Sequence, residues 1–382
     1  MKGKTRYIFN PEHDLCLANG DMNFIPPFSA LRFGRDCAGL TEWVEGNPDE
    51  PDMPDNDGES PKLSVENAVS AIVPWGWDPV LKRRLQREGV PDGLLPSDAE
   101  LEEIRRLSCR TLAAEADAFV TCAVRNAEYC PERPVRAIID PEKVEDFVNE
   151  TEEVVLKAPW SGSGKGLRWA RRGELSSNDL GWCRNVIAKQ GCVMAERREK
   201  VVQDFAMLFR IGDCVDFEGY SLFWNENGIY KGNVLASDGW IRGRLASMIP
   251  PEVLDRTKEA LTEFLAVNFT GHYRGYAGVD MFVYSPERRQ SGEAPHFCLA
   301  PCVEINVRMT MGLLARRVYD RHLDRGLFRD GKYVLTVEYS PDPDRLREKL
   351  SSAVKILSPE SLSANYGIGI YPFPDGQDHW NR

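Results

Sequence analysis

Several classes of protein are excluded by what this sequence lacks. No apolar run is long enough to cross a bilayer as a helix, and the opening residues MKGKTRYIFNPEHDL have no apolar core typical of a secretion signal. Basic residues are in deficit, since 48 Lys and Arg stand against 59 Asp and Glu and give a net charge of −11. Generic nucleic-acid binding is therefore disfavoured. We expect a cytoplasmic protein that binds neither nucleic acid nor membrane.

Cysteine pairs with metal-binding or redox spacing are also missing. The ten cysteines are scattered and form no CxxC motif, so neither a zinc knuckle nor a redox pair is indicated. Cys298 and Cys302 lie in an apolar run, where cysteine is typical of a small core residue. The pattern predicts reduced thiols.

The first hundred residues predict a small α/β domain. Arg6–Asn10 and Ser70–Asp78 have the composition of short buried strands, and apolar residues recur at helical spacing from Ser97. Between the strands, the segment 45–62 includes seven acids and no base from Glu45 to Glu59. Such a composition cannot bury a core, so we predict a solvated or disordered insertion there.

Beyond Pro131, patterns of short strands and a few helices predict a mixed α+β region. DPEKVEDFVNETE predicts a helix with Asp140 as its N-cap, and PPEVLDRTKEALTEFLAVNF predicts another that begins at proline. Antiparallel strands with Gly or Asn-Gly turns are predicted between them. GYAGVDMFVY and HFCLAPCVEINVRM are typical of apolar strands.

The segment VVLKAPWSGSGKGLRWA places Lys157 at the end of an apolar strand, before a loop of small residues. It is not a nucleotide P-loop, because Gly166 stands where a Ser or Thr hydroxyl is required and Pro159 where the first glycine belongs. Small residues let backbone N–H groups approach an anion, and Lys157 could reach the same anion. A phosphate-holding loop and a solvated hairpin turn both fit the segment.

Carboxylates interrupt the two apolar strands near the end of this region. Residues that alternate along a strand share a face, so Glu304, Asn306 and Arg308 point one way, while Asp280 lies in the middle of the other strand. Buried carboxylates are costly unless they are paired or bind a metal. If the strands are neighbours, Asp280, Glu304 and Asn306 form an all-oxygen magnesium site. The alternative is an exposed sheet face on which Glu304 and Arg308 form an ion pair.

Taken in order, these features resemble the ATP-grasp superfamily of carboxylate ligases. The shared pattern is Lys157 with its Gly/Ser loop, then Glu196 after GCVMA, then Asp280, then Glu304-Ile305-Asn306, over residues 108–312. The resemblance implies an ATP-grasp fold, of class α/β and α+β, preceded by a small α/β domain. Its expected segments are an N-terminal domain at 1–107, the two ATP-grasp subdomains at 108–190 and 191–340, and a C-terminal extension at 341–382.

The resemblance also implies roles for individual residues. Lys157 would hold the ATP phosphates under a loop formed by Ser161, Gly162, Ser163, Gly164 and Lys165. Arg110 stands where the family usually has another phosphate-binding lysine, and arginine can hold phosphate bidentately. Glu196 would bind adenine, although a solvated charged turn is the alternative for ERREK, and Asp204 would contact ribose. Asp280, Glu304 and Asn306 would hold two Mg²⁺ ions, with Mn²⁺ as a substitute, and Arg308 would join Lys157 in stabilising the transferring phosphoryl group.

The reaction implied is ATP-dependent activation of a substrate carboxylate as an acyl phosphate, which an amine or another nucleophile then attacks. A small-molecule kinase on the same fold and a non-catalytic nucleotide-binding protein are the alternatives. The substrates would be a small-molecule or peptide carboxylate and an amine acceptor, and a homodimer is compatible with this interpretation. Substrate contacts could come from Asn10, Glu12 and His13, for which a hydrogen-bonded turn is the alternative. They could also come from Lys231, Arg242 and Arg244, for which a solvated basic loop is the alternative.

Overall fold

The computed structural model describes residues 4–45, 69–162, 166–226, 229–286, 296–323, 326–359 and 361–373. Nearly all of the acidic segment 45–62 lies outside the described residues, as do Ser163, Gly164 and Lys165 of the loop and the end of the C-terminal extension. Contacts divide the described chain into two compact units. Unit 1 comprises residues 4–101, 232–237 and 308–373, and unit 2 comprises residues 102–231 and 238–307. The four-segment division based on the family resemblance stays a prediction.

The secondary structure alternates between strands and helices throughout the described chain. The strands are β1 Lys4–Ile8, β2 Val69–Pro74, β3 Val135–Ile138, β4 Glu153–Lys157, β5 Leu167–Arg171, β6 Val193–Arg197, β7 Lys200–Ile211, β8 Val215–Glu226, β9 Ile229–Leu235, β10 Gly275–Ser285, β11 Cys298–Asn306, β12 Tyr333–Tyr339, β13 Lys355–Ser358 and β14 Tyr366–Pro372. The helices are α1 His13–Asn19, α2 Phe28–Asp36, α3 Leu40–Glu45, α4 Pro79–Arg87, α5 Asp98–Leu107, α6 Arg110–Val124, α7 Glu142–Thr151, α8 Ser177–Gln190, α9 Asp238–Ala246, α10 Pro251–Phe269, α11 Met311–Leu323 and α12 Pro343–Leu350. A short 3₁₀ turn spans Asp92–Leu94. No helix in the described part of the chain is long and apolar enough to span a membrane.

Unit 1 contains the parallel strand pair β1–β2, with Ile8 opposite Pro74. The second strand ends before Asp78, earlier than the sequence pattern predicts. Asp78 starts α4 instead, because its Oδ1 accepts hydrogen bonds from the backbone N–H groups of Val80 and Leu81, each at 2.9 Å. In the same unit, β12 pairs antiparallel with the end of β9 and with β14, which also pairs with β13.

Residues from both ends of the chain meet in unit 1. The Asp36 carboxylate at the end of α2 accepts hydrogen bonds from the backbone N–H groups of Asn365 at 2.7 Å and Tyr366 at 3.1 Å. The hydroxyl of Ser358 donates to the Asp36 carbonyl at 2.8 Å. Helix α2 is therefore fixed against β13 and β14 by polar contacts as well as by packing.

Unit 2 contains two antiparallel sheets. One has the strand order β3-β6-β4-β5 and is covered by α7 and α8, whose apolar residues share a core with Leu156 and Val193. In the other, β11, β10, β7 and β8 are neighbours in that order, with α6 packed on β11 and α10. The parallel pair in unit 1 and the antiparallel sheets in unit 2 confirm the predicted combination of α/β and α+β structure.

The long helical pattern that starts near Ser97 is divided into two helices, α5 and α6. Just after the end of α5, the Ser108 hydroxyl donates to the Ile104 carbonyl at 2.7 Å. The backbone N–H of Arg110 then donates to the Pro159 carbonyl at 3.1 Å. The break matters because it places Arg110 at the first turn of α6, beside the loop that follows β4.

Candidate active site

The two acid-bearing strands are neighbours, which is the condition for a shared site. β10 and β11 are antiparallel neighbours in which Asp280 lies directly opposite Glu304, and Gly278 lies opposite Asn306. The Asn306 side-chain amide donates to Asp280 Oδ2 at 3.0 Å. Like charges directly opposite in a sheet are destabilising without a cation between or beside them. The arrangement therefore places two carboxylates and an amide on one face, where a cation is favoured.

The donor set fits magnesium only if other oxygens contribute. Within the described residues, no group of three or more His, Cys, Asp or Glu side chains is placed to hold a metal ion. Asp280 and Glu304 supply two carboxylates, and Asn306 supplies a neutral oxygen. Magnesium is usually bound by one or two carboxylates together with substrate phosphates and water, so this set is adequate for a metal that arrives with a nucleotide.

A β-bulge lies next to this pair. The register shifts between Asp280 and Phe282, which is opposite Ala300, so residues 301–303 face the single residue Met281. The backbone N–H of Cys302 within the bulge donates to Asp117 Oδ1 on α6 at 3.3 Å. Bulges are frequent beside active sites because they change the direction of a strand locally.

Arg110 connects the acid pair to the Gly/Ser loop. Its buried guanidinium donates from Nη2 to Glu304 Oε1 at 2.7 Å, and from Nη1 to the Ala158 carbonyl at 2.6 Å and to Ser161 Oγ at 2.7 Å. A single cation thus bridges the strand that carries the metal candidates and the loop expected to cover phosphates. Arginine suits this position because its planar fork donates in several fixed directions.

The loop belongs to a hairpin, which agrees with the exclusion of a P-loop from the sequence. β4 pairs antiparallel with β5, and the Ala158 N–H donates to the Gly166 carbonyl at 2.9 Å to close the loop. No helix follows the loop, as a P-loop would require. A Cβ at position 166 would collide with the Ser161 side chain, so this close approach requires glycine. Ser161 and Gly162 are the members of the predicted loop that the structure describes.

Lys157 and Glu196 form an ion pair within a buried network of charges. Glu196 Oε1 contacts Lys157 Nζ, while Glu196 Oε2 accepts from Arg133 Nη2 at 2.6 Å. Arg133 Nη1 also lies 3.3 Å from Asp117 Oδ1. Burial alone would raise the pKa of the Glu196 carboxyl, but Lys157 and Arg133 outweigh it and hold that pKa below its usual range.

The two other members of this network respond to burial in opposite ways. For Asp117, burial raises the pKa, and the opposing attraction of Arg133 only partly offsets it. For Arg133, burial lowers the pKa, but Glu196 and Asp117 more than compensate and raise it above its usual value. Arg133 is therefore a permanent cation at the centre of the network.

A small cavity in unit 2 has several of these groups on its wall. Arg110, Lys157 and Glu196 supply the charged part of its lining. The apolar part comes from Val135, Met194 and Val303, with Cys302 beside them. These residues thus line a recess with a charged side and an apolar side.

Asp204 lies on the same sheet face as the metal candidates. It is opposite Phe282 on β10, two residues along from the Ala206–Asp280 pair. Its Oδ2 accepts from the Asn225 side-chain amide at 3.2 Å. Burial raises the pKa of Asp204 to about 6, and the hydrogen bond from Asn225 only partly counteracts that rise.

Arg308 and the first substrate group lie in unit 1. Arg308 makes two hydrogen bonds of 2.8 Å to the Asp14 carboxylate, a bidentate ion pair. Asn10, which follows β1, is fully buried, and its amide donates to the Gly76 carbonyl at 2.8 Å and to Asp78 Oδ2 at 3.0 Å. His13 Nδ1 lies 3.7 Å from the same Asp78 oxygen, and burial raises the pKa of the neighbouring Glu12.

The alternative of a solvated basic loop for Lys231, Arg242 and Arg244 is wrong, because none of the three lies on a loop. Lys231 is on β9, while Arg242 and Arg244 are on helix α9. Ile241 and Leu245 are buried on α9, and this packing stabilises a helix despite its two glycines. Arg242 pairs with Asp255 of α10 at 2.7 Å.

Sequence reasoning missed Arg133 and Asp117. A signal did exist for Asp117, because it falls on the same stripe of α6 as the buried residues Ala113, Ala116 and Val120. A carboxylate on an apolar helix face indicates a buried partner. The partner itself could not be identified, because Arg133 lies in a polar segment with no distinguishing pattern.

Neither a family model nor a curated protein matches the sequence. The chain is similar to solved structures that hold adenine nucleotides. One is N5-carboxyaminoimidazole synthetase from Staphylococcus aureus complexed with ADP, with 13% identity, a TM-score of 0.47, and coverage of 80% of this chain and 77% of that one. Another is the biotin carboxylase of Campylobacter jejuni, with 12% identity, a TM-score of 0.44, and coverage of 80% of this chain and 71% of that one. A third is the biotin carboxylase domain of Hydrogenobacter thermophilus 2-oxoglutarate carboxylase with MgADP, with 14% identity, a TM-score of 0.44, and coverage of 73% of this chain and 60% of that one. Similarities this distant do not transfer the roles of residues.

Proposed function

We propose that this protein is an ATP-dependent ligase of the ATP-grasp type, which activates a substrate carboxylate as an acyl phosphate and joins it to an amine or another nucleophile. The observation that carries this proposal is the link made by Arg110. It joins the Gly/Ser loop to Glu304, which faces Asp280, and it shares a cavity wall with Lys157 and Glu196. The cations proposed to bind phosphate are therefore linked by hydrogen bonds and a shared cavity wall to the carboxylates proposed to bind magnesium.

The proposed reaction has two steps. An oxygen of the substrate carboxylate attacks the terminal phosphorus of ATP, and the bond from that phosphorus to ADP breaks. The nucleophile then attacks the carbonyl carbon of the acyl phosphate, loses its proton, and inorganic phosphate leaves. Lys157 and Arg110 would bind phosphate oxygens, and their fixed charges would stabilise the transferring group, so catalysis rests on positioning and electrostatics.

Asp280, Glu304 and Asn306 are the residues that would hold magnesium, whose role when bound is to neutralise charge on the phosphates. Glu196 and the apolar wall formed by Val135 and Met194 would receive adenine. Asp204 would contact the ribose.

The remaining assignments concern Arg308 and the substrates. A role for Arg308 at the phosphoryl group requires that its ion pair with Asp14 opens. Arg242 and its neighbours on β9 and α9 could receive a substrate carboxylate, and the buried Asn10, Glu12 and His13 could contact a polar substrate in unit 1. Homodimer formation and a cytoplasmic location belong to the same proposal.

Magnesium-dependent ATP turnover in the presence of amino acids and small peptides tests the proposal. We expect Lys157→Ala and Glu304→Gln to fold normally and to lose turnover. Lys143→Ala and Glu150→Gln are matched controls, because both side chains are exposed at the surface of unit 2. Unchanged turnover in Lys157→Ala and Glu304→Gln would contradict the site.

Analysis of the products separates the alternatives. A ligase releases ADP and inorganic phosphate only when both the carboxylate and the acceptor are present. A kinase would form a stable phosphate ester without an acceptor. Nucleotide binding with no turnover under any condition would indicate a non-catalytic protein.

A further inference from the structure

Arg133 is the most enclosed cation of the network in unit 2, and no role in nucleotide binding follows from its own contacts. Its side chain is 2% exposed and lies between two carboxylates, Glu196 and Asp117. Its guanidinium also lies over the ring of Phe282, with 5.2 Å between the guanidinium carbon and the ring centroid. These contacts fix the guanidinium from several sides, so it cannot move toward a ligand without leaving buried charges behind.

The two oxygens of Glu196 contact two different cations. Oε1 contacts Lys157, whose ammonium ends a flexible side chain at the cavity wall, and Oε2 contacts the fixed Arg133. A lysine that binds nucleotide phosphate must give up its contact with Glu196. If Glu196 had no other partner, that exchange would leave an unpaired carboxylate in the protein interior, which is strongly unfavourable.

We propose that Arg133 is a positioning residue that keeps Glu196 paired and in place, so that Lys157 can exchange Glu196 for a nucleotide phosphate. The proposal rests on the function proposed above. It assigns Arg133 to the binding of phosphate through Glu196 and Lys157, with no contact of its own to the nucleotide. Asp117 completes the arrangement, because it holds the other arm of the guanidinium and is itself bonded to the bulge at Cys302.

The difference between the affinities for ADP and adenosine measures what the phosphates contribute. We take the ratio of the adenosine dissociation constant to the ADP dissociation constant, from calorimetric titration with magnesium present. In Arg133→Met, Lys157 becomes the sole counter-ion of Glu196 and is held more firmly, so the ratio falls by about tenfold or more. Arg133→Lys keeps a cation but reaches only one carboxylate, so its ratio lies between those of the wild type and Arg133→Met.

A double variant separates positioning from a merely structural role. In Arg133→Met combined with Glu196→Gln, no carboxylate holds Lys157, so we expect the ratio to return to within about twofold of the Glu196→Gln single variant. If Arg133 only stabilised the fold, the additional Glu196→Gln change would leave the ratio of dissociation constants as low as in Arg133→Met. Arg136→Met is the matched control, because Arg136 lies on the nearby strand β3 with an exposed side chain.

The outcomes are distinguishable. Circular dichroism and urea unfolding establish that each variant is folded, and Arg133→Lys carries the test if Arg133→Met is not. If folded Arg133 variants have the same ratio of dissociation constants as the wild type, this proposal alone is overturned. The same holds if the ratio stays low in the double variant. Failure of the wild-type protein to bind ADP overturns the proposed function, and this proposal with it.

Discussion

Replacement of Arg110 by methionine gives the sharpest test of the site, because one side chain makes three separate contacts. The change removes hydrogen bonds of 2.6 Å to the Ala158 carbonyl and 2.7 Å each to Ser161 Oγ and Glu304 Oε1. The buried Ala158 carbonyl loses this donor, which costs about 1–3 kcal/mol, and the Ser161 contact contributes about 1 kcal/mol. Because Glu304 is 29% exposed, solvent screens its ion pair, and we assign that contact about 0.5 kcal/mol.

The free energy of unfolding should therefore fall by about 2.5–4.5 kcal/mol in Arg110→Met. Urea titration followed by tryptophan fluorescence measures it, since Trp160 lies in the loop that Arg110 contacts and donates to the Arg105 carbonyl at 2.7 Å. Arg110→Lys should recover about 1 kcal/mol. A double-mutant cycle with Glu304→Gln should give a coupling of about 0.5–1 kcal/mol.

The control for this series is Arg136→Met, whose 59% exposed side chain forms a surface ion pair with Glu150 and should change stability by less than about 0.5 kcal/mol. A loss below about 0.5 kcal/mol in Arg110→Met would refute the reasoning, because the loop would then not depend on that cation. Additive effects of the Arg110 and Glu304 changes would show that the contact between them contributes nothing.

Three further predictions follow from the geometry of individual residues. Gly166→Ala should lower the thermal unfolding midpoint and weaken ADP binding, because the added Cβ would collide with the Ser161 side chain. Gly181→Ala in α8 should instead raise the midpoint, because its Cβ would meet no other atom and alanine favours a helix. Because the pKa of Asp204 is raised to about 6, its contribution to stability is complete below about pH 4 and is lost as the pH rises through 6. Asp204→Asn should therefore show a smaller decline of the unfolding midpoint between pH 4 and 7 than the wild type, and parallel curves would contradict this. Alkylation of the folded protein, followed by mass spectrometry, should show that Cys122 is modified first. Cys214 should react more slowly, because a neighbouring carboxylate raises the pKa of its thiol. Early modification of the eight buried cysteines would contradict their burial in the structure.

The two acid-bearing strands of the candidate site could be predicted, although not their pairing, because their sequence violates a simple rule. Asp280 and Glu304 interrupt apolar strands, and the cost of burying a carboxylate is enough to indicate a functional or paired role for each of them. The exclusion of a P-loop followed in the same way from Gly166. In both cases, each signal lies within a single strand or loop.

The charge network could not be predicted because its members are distant in sequence and come from three elements and a connecting segment. Arg133 precedes β3, and its contact with Glu196 depends on β3 pairing with β6, which no local pattern specifies. The helix that carries Arg242 was misjudged for a related reason. Its glycines weaken the local helix signal, and the burial of Ile241 and Leu245 that stabilises it depends on tertiary packing.

The composition of unit 1 has a consequence for synthesis of the protein on the ribosome. Its first segment, residues 4–101, leaves the ribosome long before residues 308–373 have been translated. Until then, the Asp36 carboxylate has none of its N–H partners near Asn365, and the face of α2 that packs on β14 stays uncovered. The first segment of unit 1 therefore stays incompletely folded while all of unit 2 is translated. A stalled or truncated chain would expose that same surface to chaperones and proteases.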